Sequence, residues 1–128
     1  MNRKYVYICS PYRPEGTDNK ERAQALRRNI ELARDGCRLA VALGYIPIAP
    51  HLYFTQFLID RWESQRKIGM DAGLEALKYC EAVWVLGDRI SEGMSQEIGE
   101  AGRLGIPIEC KAQPWQLYKK VVERLYER

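Results

Sequence analysis

Much of what would assign this 128-residue chain quickly is missing from it. Histidine is nearly absent, with His51 alone. The four cysteines, Cys9, Cys37, Cys80 and Cys110, form no C-x-x-C pair. That ligand supply is poor for zinc, so no metal site is expected, and reduced thiols in a cytoplasmic protein are the economical reading. There is no G-x-G-x-x-G fingerprint and no Walker lysine motif. No apolar run is long enough to span a bilayer, and Met1-Asn2-Arg3-Lys4 leads into a strand rather than a signal peptide, so neither membrane nor export is expected. Charge of one sign is not in excess: 20 basic residues face 17 acidic ones, for a net +3. That is too small to argue for a nucleic acid polymer as partner.

What remains is an ordinary globular composition, in a length that suits one domain over 1–128. Strand-like and helix-like segments alternate along it. Tyr5–Cys9 is rich in β-formers and ends at Ser10-Pro11-Tyr12-Arg13-Pro14-Glu15-Gly16, a loop dense in helix breakers. From about Asn19 to Leu43 apolar residues recur at helical spacing, with Asp18 as N-cap and Gly44 as stop. Tyr45–Ala49 reads as a second strand. Leu52–Tyr79 reads as mostly helical, broken near Gly69 or Gly73. Ala82–Leu86 is a third strand, and a helix runs from about Ser91 to Leu104, closed by Gly105. Ile106–Glu109 reads as a fourth strand and Pro114–Tyr126 as a last amphipathic helix. The alternation predicts an α/β fold: a single Rossmann-like domain with a parallel sheet of four to five strands flanked by helices.

The turn after the third strand is the most informative stretch. In α/β sheets such turns lie at the carboxyl edge, where ligands bind. The helix beginning near Ser91 offers unpaired N–H groups and a partial positive charge that suit a phosphate. Glu97, in the second turn of that helix, faces the same crevice. The helix dipole is expected to keep it ionised, as a nucleophile requires. Gly93 and Gly99 are poor helix formers placed where a ligand would approach closely. Ser10 and Arg13, in the loop after the first strand, lie on the same sheet edge, and arginine holds phosphate bidentately. Asp71 supplies a second carboxylate of the kind glycosidic cleavage uses, and Asp88, at the end of the third strand, competes for that role. His51 is either a packed or capping group or a site residue. Tyr7 shares a strand face with Tyr5, leaving its hydroxyl a route into the crevice. Cys9 and Cys80, in apolar segments, read as small core residues.

Two motifs carry a family resemblance. Tyr7-Ile8-Cys9-Ser10-Pro11-Tyr12-Arg13 resembles the opening strand and loop of the nucleoside 2-deoxyribosyltransferase-like family. Ser91-Glu92-Gly93-Met94-Ser95-Gln96-Glu97-Ile98-Gly99-Glu100-Ala101 resembles its Gly-x-x-x-Glu-x-Gly-x-Ala helix. The family includes a hydrolytic branch, the 2'-deoxynucleoside 5'-monophosphate N-glycosidases. The resemblance implies Glu97 as the nucleophile on the anomeric carbon, Tyr7 orienting it, and Asp71 assisting departure of the base. It implies no metal or organic cofactor, and a homodimer or higher homo-oligomer whose neighbour completes the pocket.

Transferases of that family carry an acidic residue and a Gly-Thr pair where this chain has Ser91, Gly93 and Met94. Ser91 and Arg13 resemble phosphate-contacting residues of the glycosidase branch. The expected substrate is therefore a (deoxy)nucleoside 5'-monophosphate, bound by Ser10, Arg13, His51, Asp88, Ser91, Gly93 and Met94. Deoxyribosyl transfer between bases and non-catalytic nucleotide sensing are the alternatives.

Overall fold

The computed structural model describes residues 4–126. Four strands, β1 (Tyr5–Cys9), β2 (Ile46–Ile48), β3 (Ala82–Leu86) and β4 (Ile108–Lys111), form one parallel sheet in the order β2-β1-β3-β4. Helices α1 (Asn19–Ala42), α2 (Pro50–Phe54), α3 (Glu63–Leu77), α4 (Glu92–Leu104) and α5 (Pro114–Tyr126) connect and cover it. β1 and β3 are the central pair, which is why their sequences are nearly continuous apolar runs rather than alternating ones.

Strand alternation divides the core between the two faces. Tyr7, Cys9, Val83 and Val85 pack with Leu77, Met94 and Ala101 of α3 and α4. Val6, Ile8, Trp84 and Leu86 pack with Leu39 and Ala40 of α1 and with Tyr118 and Val121 of α5. Odd-numbered residues of β1 therefore point toward the α3–α4 side. From β1 the chain moves to β2 on one side, then crosses to β3 on the other. The order reverses at β1/β3, and the crevice beyond the carboxyl ends of these strands is where such sheets hold ligands.

The expected α/β architecture is present, with differences at three boundaries. The Leu52–Tyr79 segment breaks at residues 55–62, and α3 runs through both Gly69 and Gly73. A mid-helix glycine costs only about 1 kcal/mol, which tertiary packing overrides. Both face neighbours closely: a Cβ on Gly69 would stand 3.6 Å from Leu58 and one on Gly73 3.0 Å from the Tyr7 hydroxyl. α2 begins at Pro50 itself, because the first helical position needs no N–H. β4 starts at Ile108 rather than Ile106, since the Ile106 N–H caps α4 on the Ala101 carbonyl (2.9 Å). The Asp18 cap is present, its carboxylate accepting from the Glu21 N–H at 2.8 Å.

Candidate active site

A cavity of about 440 Å³ opens at the β1/β3 crevice. β1 and the loop after it contribute Tyr7, Ser10, Tyr12 and Arg13, while α2 and α3 contribute His51, Phe54, Arg66 and Gly73. The head of α4 contributes Ser91, Gly93 and Glu97.

Glu97 lines this cavity and carries two side-chain contacts from β1. The Tyr7 hydroxyl donates to its Oε2, and the Cys9 thiol lies 3.7 Å from its Oε1. Alternation along β1 places these two donors side by side on the face that α4 covers. Burial dominates the electrostatics of this cluster. It raises the Glu97 carboxyl to about 7, more than the two donors lower it. The helix dipole was expected to keep this carboxylate firmly ionised; desolvation moves it the other way. Tyr7 and Cys9, themselves buried and facing Glu97, are held well above their ordinary values and remain protonated donors.

Ser10 and His51 form a second pair, with Oγ and Nε2 3.1 Å apart. Burial lowers the imidazole to about 4, so His51 is neutral at physiological pH. Tyr12 meets its ring edge-on at 5.7 Å.

At the head of α4, Ser91 serves as N-cap, its Oγ accepting from the Met94 N–H at 3.2 Å. A hydroxyl that accepts in this way keeps its own proton free to donate into the cavity. Arg13 reaches the cavity already engaged: its Nε lies 3.1 Å from Asp60 Oδ2, and a second nitrogen donates to the Asp60 carbonyl at 3.1 Å. Arg66 stands 3.8 Å from the other Asp60 oxygen. Asn29 on α1 fixes the loop that carries Arg13, donating to the Tyr12 carbonyl at 3.0 Å.

Tyr7, Ser10, Arg13, His51, Ser91, Gly93 and Glu97 are thus brought to one cavity. Three residues expected there are placed elsewhere. Asp71 does not line it; it lies exposed on α3, 2.9 Å from Lys67. At about 100° per residue, position 71 falls nearly opposite the cavity-facing Gly69 and Gly73. Asp88 lines a smaller cavity of about 200 Å³ beside Asn29 and Arg28. Met94, 1% exposed, belongs to the core under α4. Sequence reading missed Cys9, Asp60 and Arg66. Of these only Cys9 carried a signal, the two-residue spacing from Tyr7.

Among the described residues no group of three His, Cys, Asp or Glu is arranged to hold a metal, and no helix is long and apolar enough to cross a membrane.

The fold is shared with a solved 2-deoxyribosyltransferase from the psychrotolerant bacterium Bacillus psychrosaccharolyticus, characterised as a biocatalyst for synthesis of antiviral and antitumoral nucleosides. The two align with a TM-score of 0.52 and 20% identity, over 83% of this chain and 70% of that one. The chain belongs to a family described as a domain of unknown function (DUF7768), whose model matches residues 4–111. No curated protein matches it.

Proposed function

We propose that the protein cleaves the N-glycosidic bond of a (deoxy)nucleoside 5'-monophosphate by double displacement on Glu97. The observation that carries this reading is a half-buried carboxylate, braced by Tyr7, in the wall of a cavity at the sheet's switch point. The fold shared with a deoxyribosyltransferase supports it.

In the first step a Glu97 oxygen bonds to the anomeric carbon as the C–N bond breaks, its electrons leaving with the base. In the second, water attacks the same carbon, the ester C–O bond breaks, and the carboxylate returns with release of the sugar phosphate, the proton that the water gives up balancing the one that the departed base takes up. A carboxyl near 7 is substantially ionised at physiological pH and is a stronger nucleophile than an exposed one. Phosphate is drawn to the head of α4, where the helix terminus and the Ser91 hydroxyl proton meet the Arg66 guanidinium beside Gly93, with Arg13 in the wall of the same cavity. No organic cofactor or metal enters this chemistry. Asp71 has no part in it within one protomer, and Asp71→Asn is expected to retain turnover within about threefold, like other exposed substitutions. A loss as large as that from replacing Glu97 would restore Asp71 to the machinery.

The alternative, transfer to a second base in place of water, is favoured by the activity of the structural neighbour. The deciding experiment incubates the protein with each deoxynucleoside and its 5'-monophosphate, with and without an acceptor base, and separates the products by chromatography. Glu97→Ala runs beside it. Free base from a monophosphate, lost in the variant, is the expected result, and base exchange only with acceptor would assign transfer. Binding without turnover would overturn both and leave a nucleotide sensor.

We also infer a homodimer or larger homo-oligomer. Tyr53 and Phe57, on α2 and just after it, are 64% and 58% exposed with ring centroids 5.2 Å apart, an exposed aromatic pair of the sort that marks interfaces. Sedimentation of the wild type against Phe57→Glu tests it: a wild-type monomer would refute the assembly.

A further inference from the structure

The reaction above uses Tyr7 on one oxygen of Glu97 and leaves the partner of the other oxygen without a role. That partner is Cys9. β1 presents Tyr7 and Cys9 to the same face, and the Cys9 sulfur lies 3.7 Å from Glu97 Oε1 and 3.9 Å from the Met94 carbonyl oxygen. The thiol is fully buried and does not line the cavity, so it meets neither solvent nor substrate. It holds its proton, because burial and the facing carboxylate oppose the thiolate. Cys80, the other buried thiol on this side of the sheet, is spent on the Ala76 carbonyl at 3.6 Å.

A thiol is a weak donor. Tyr7 fixes Oε2 through a strong phenolic bond, whereas an S–H fixes Oε1 lightly and leaves its lone pairs available. We propose that Cys9 is a positioning residue for Glu97. Its S–H holds Oε1 in the orientation for bond formation with the anomeric carbon without quenching that oxygen as a nucleophile. The kinetic part of this proposal rests on the reading of Glu97 as the nucleophile, while the contact itself does not.

The titratable and charged groups that share this space with Glu97 are Tyr7 and Cys9 from β1, Tyr12, Arg13 and Glu15 from the loop after it, His51 from α2, Asp60 and Arg66 from α3 and the segment before it, and Arg89 and Glu92 at the head of α4. Of these, Tyr7 and Cys9 donate to Glu97. Both bonds hold its carboxyl below the value that burial alone would set. Changing Cys9 therefore changes the titration of Glu97 in a direction fixed by the donor left behind.

The test follows the carboxyl carbon of Glu97 by NMR titration of protein labelled at glutamate, with Glu97→Gln identifying the resonance. In Cys9→Ala the donor is gone, and the midpoint is expected to rise by about half a unit to one unit. In Cys9→Ser a stronger donor stands in the same place, and the midpoint is expected at or below that of the wild type. The kinetic counterpart is a lower kcat in both variants with KM unchanged, and an acid limb of the pH profile that moves up in Cys9→Ala only. Opposite movements of this kind are outside the reach of a packing role, which shifts both variants together or neither. Midpoints that stay at the wild-type value, or that move in one direction in both variants, would overturn the proposal. If the wild type turns over no substrate, the reading of Glu97 as nucleophile falls, and the titration still decides whether Cys9 supports its carboxylate.

Discussion

The missing side chain at Gly73 makes room for the hydroxyl of Tyr7: a Cβ at that position would stand 3.0 Å from the phenolic oxygen and 3.4 Å from Pro50. A glycine in the middle of α3 thereby governs the orientation of a carboxylate on α4, with the tyrosine of β1 as intermediary.

Gly73→Ala accordingly separates stability from activity. The added methyl raises helix propensity by about 1 kcal/mol, which offsets the crowding, so the unfolding midpoint is expected to stay near that of the wild type. The Tyr7 hydroxyl must yield by a few tenths of an ångström, and kcat is expected to fall by about tenfold or more, since displacement at a reacting centre is costly. Tyr7→Phe removes the same bond outright. A hydrogen bond to a charged group is worth about 1.5–3 kcal/mol, or about 10- to 150-fold in rate. Steady-state kinetics beside thermal unfolding checks both. Wild-type kcat in either variant would remove Tyr7 from the mechanism.

Burial of Glu97 implies a pH signature of definite sign. Its carboxyl is held near 7 in the fold, against about 4.3 in an unfolded chain. The folded state thus keeps a proton that the unfolded state has released. Stability from this group is fully present below the unfolded value and is lost as pH rises through about 7, by roughly 4 kcal/mol in all. Glu97→Gln does not titrate, so its advantage over the wild type is expected to grow from pH 5 to pH 8. Taking that difference cancels the opposite contribution of His51, whose lowered value costs stability as pH falls through its folded value of about 4. Urea unfolding at the two pH values measures it, and an advantage independent of pH would contradict the buried, protonatable carboxyl. Turnover, which needs the carboxylate, is expected to rise over the same interval.

How far the sequence foretells these relationships depends on whether the cause is local. β1 and β3 are legible because they are central and buried on both faces, which writes apolar runs into both. Glu97 is legible because a strand, a turn and a capped helix adjoin in sequence around it. The break between α2 and α3 is not, since the segment Thr55-Gln56-Phe57-Leu58-Ile59-Asp60-Arg61-Trp62 holds neither glycine nor proline, while the glycines that invite a break lie inside α3, Gly69 against Leu58 and Gly73 to admit Tyr7. Cys9 resembles any core cysteine until α4 sets Glu97 against it. The state of Arg13 is hidden altogether, because its partner Asp60 lies 47 residues away.

That partner bears on substrate choice. Arg13 and Arg66 both line the cavity and both face Asp60, whose carboxylate stands where it competes with an incoming phosphate. Arg13 is 45% exposed, so the pair contributes only about 0.2–1 kcal/mol. Asp60→Asn removes the competitor and keeps the shape. Binding of a deoxynucleoside 5'-monophosphate is expected to tighten by a few-fold at most, with the free nucleoside unaffected. Arg13→Ala is expected to act oppositely, weakening the nucleotide by about tenfold and sparing the nucleoside, because a charge-assisted bond to phosphate is lost. Calorimetric titration of both ligands against both variants resolves the matter. Should Arg13→Ala weaken nucleoside and nucleotide equally, Arg13 acts by shaping the loop that Asn29 holds and not by reading phosphate. The preference for monophosphates would then rest on Ser91, Arg66 and the head of α4.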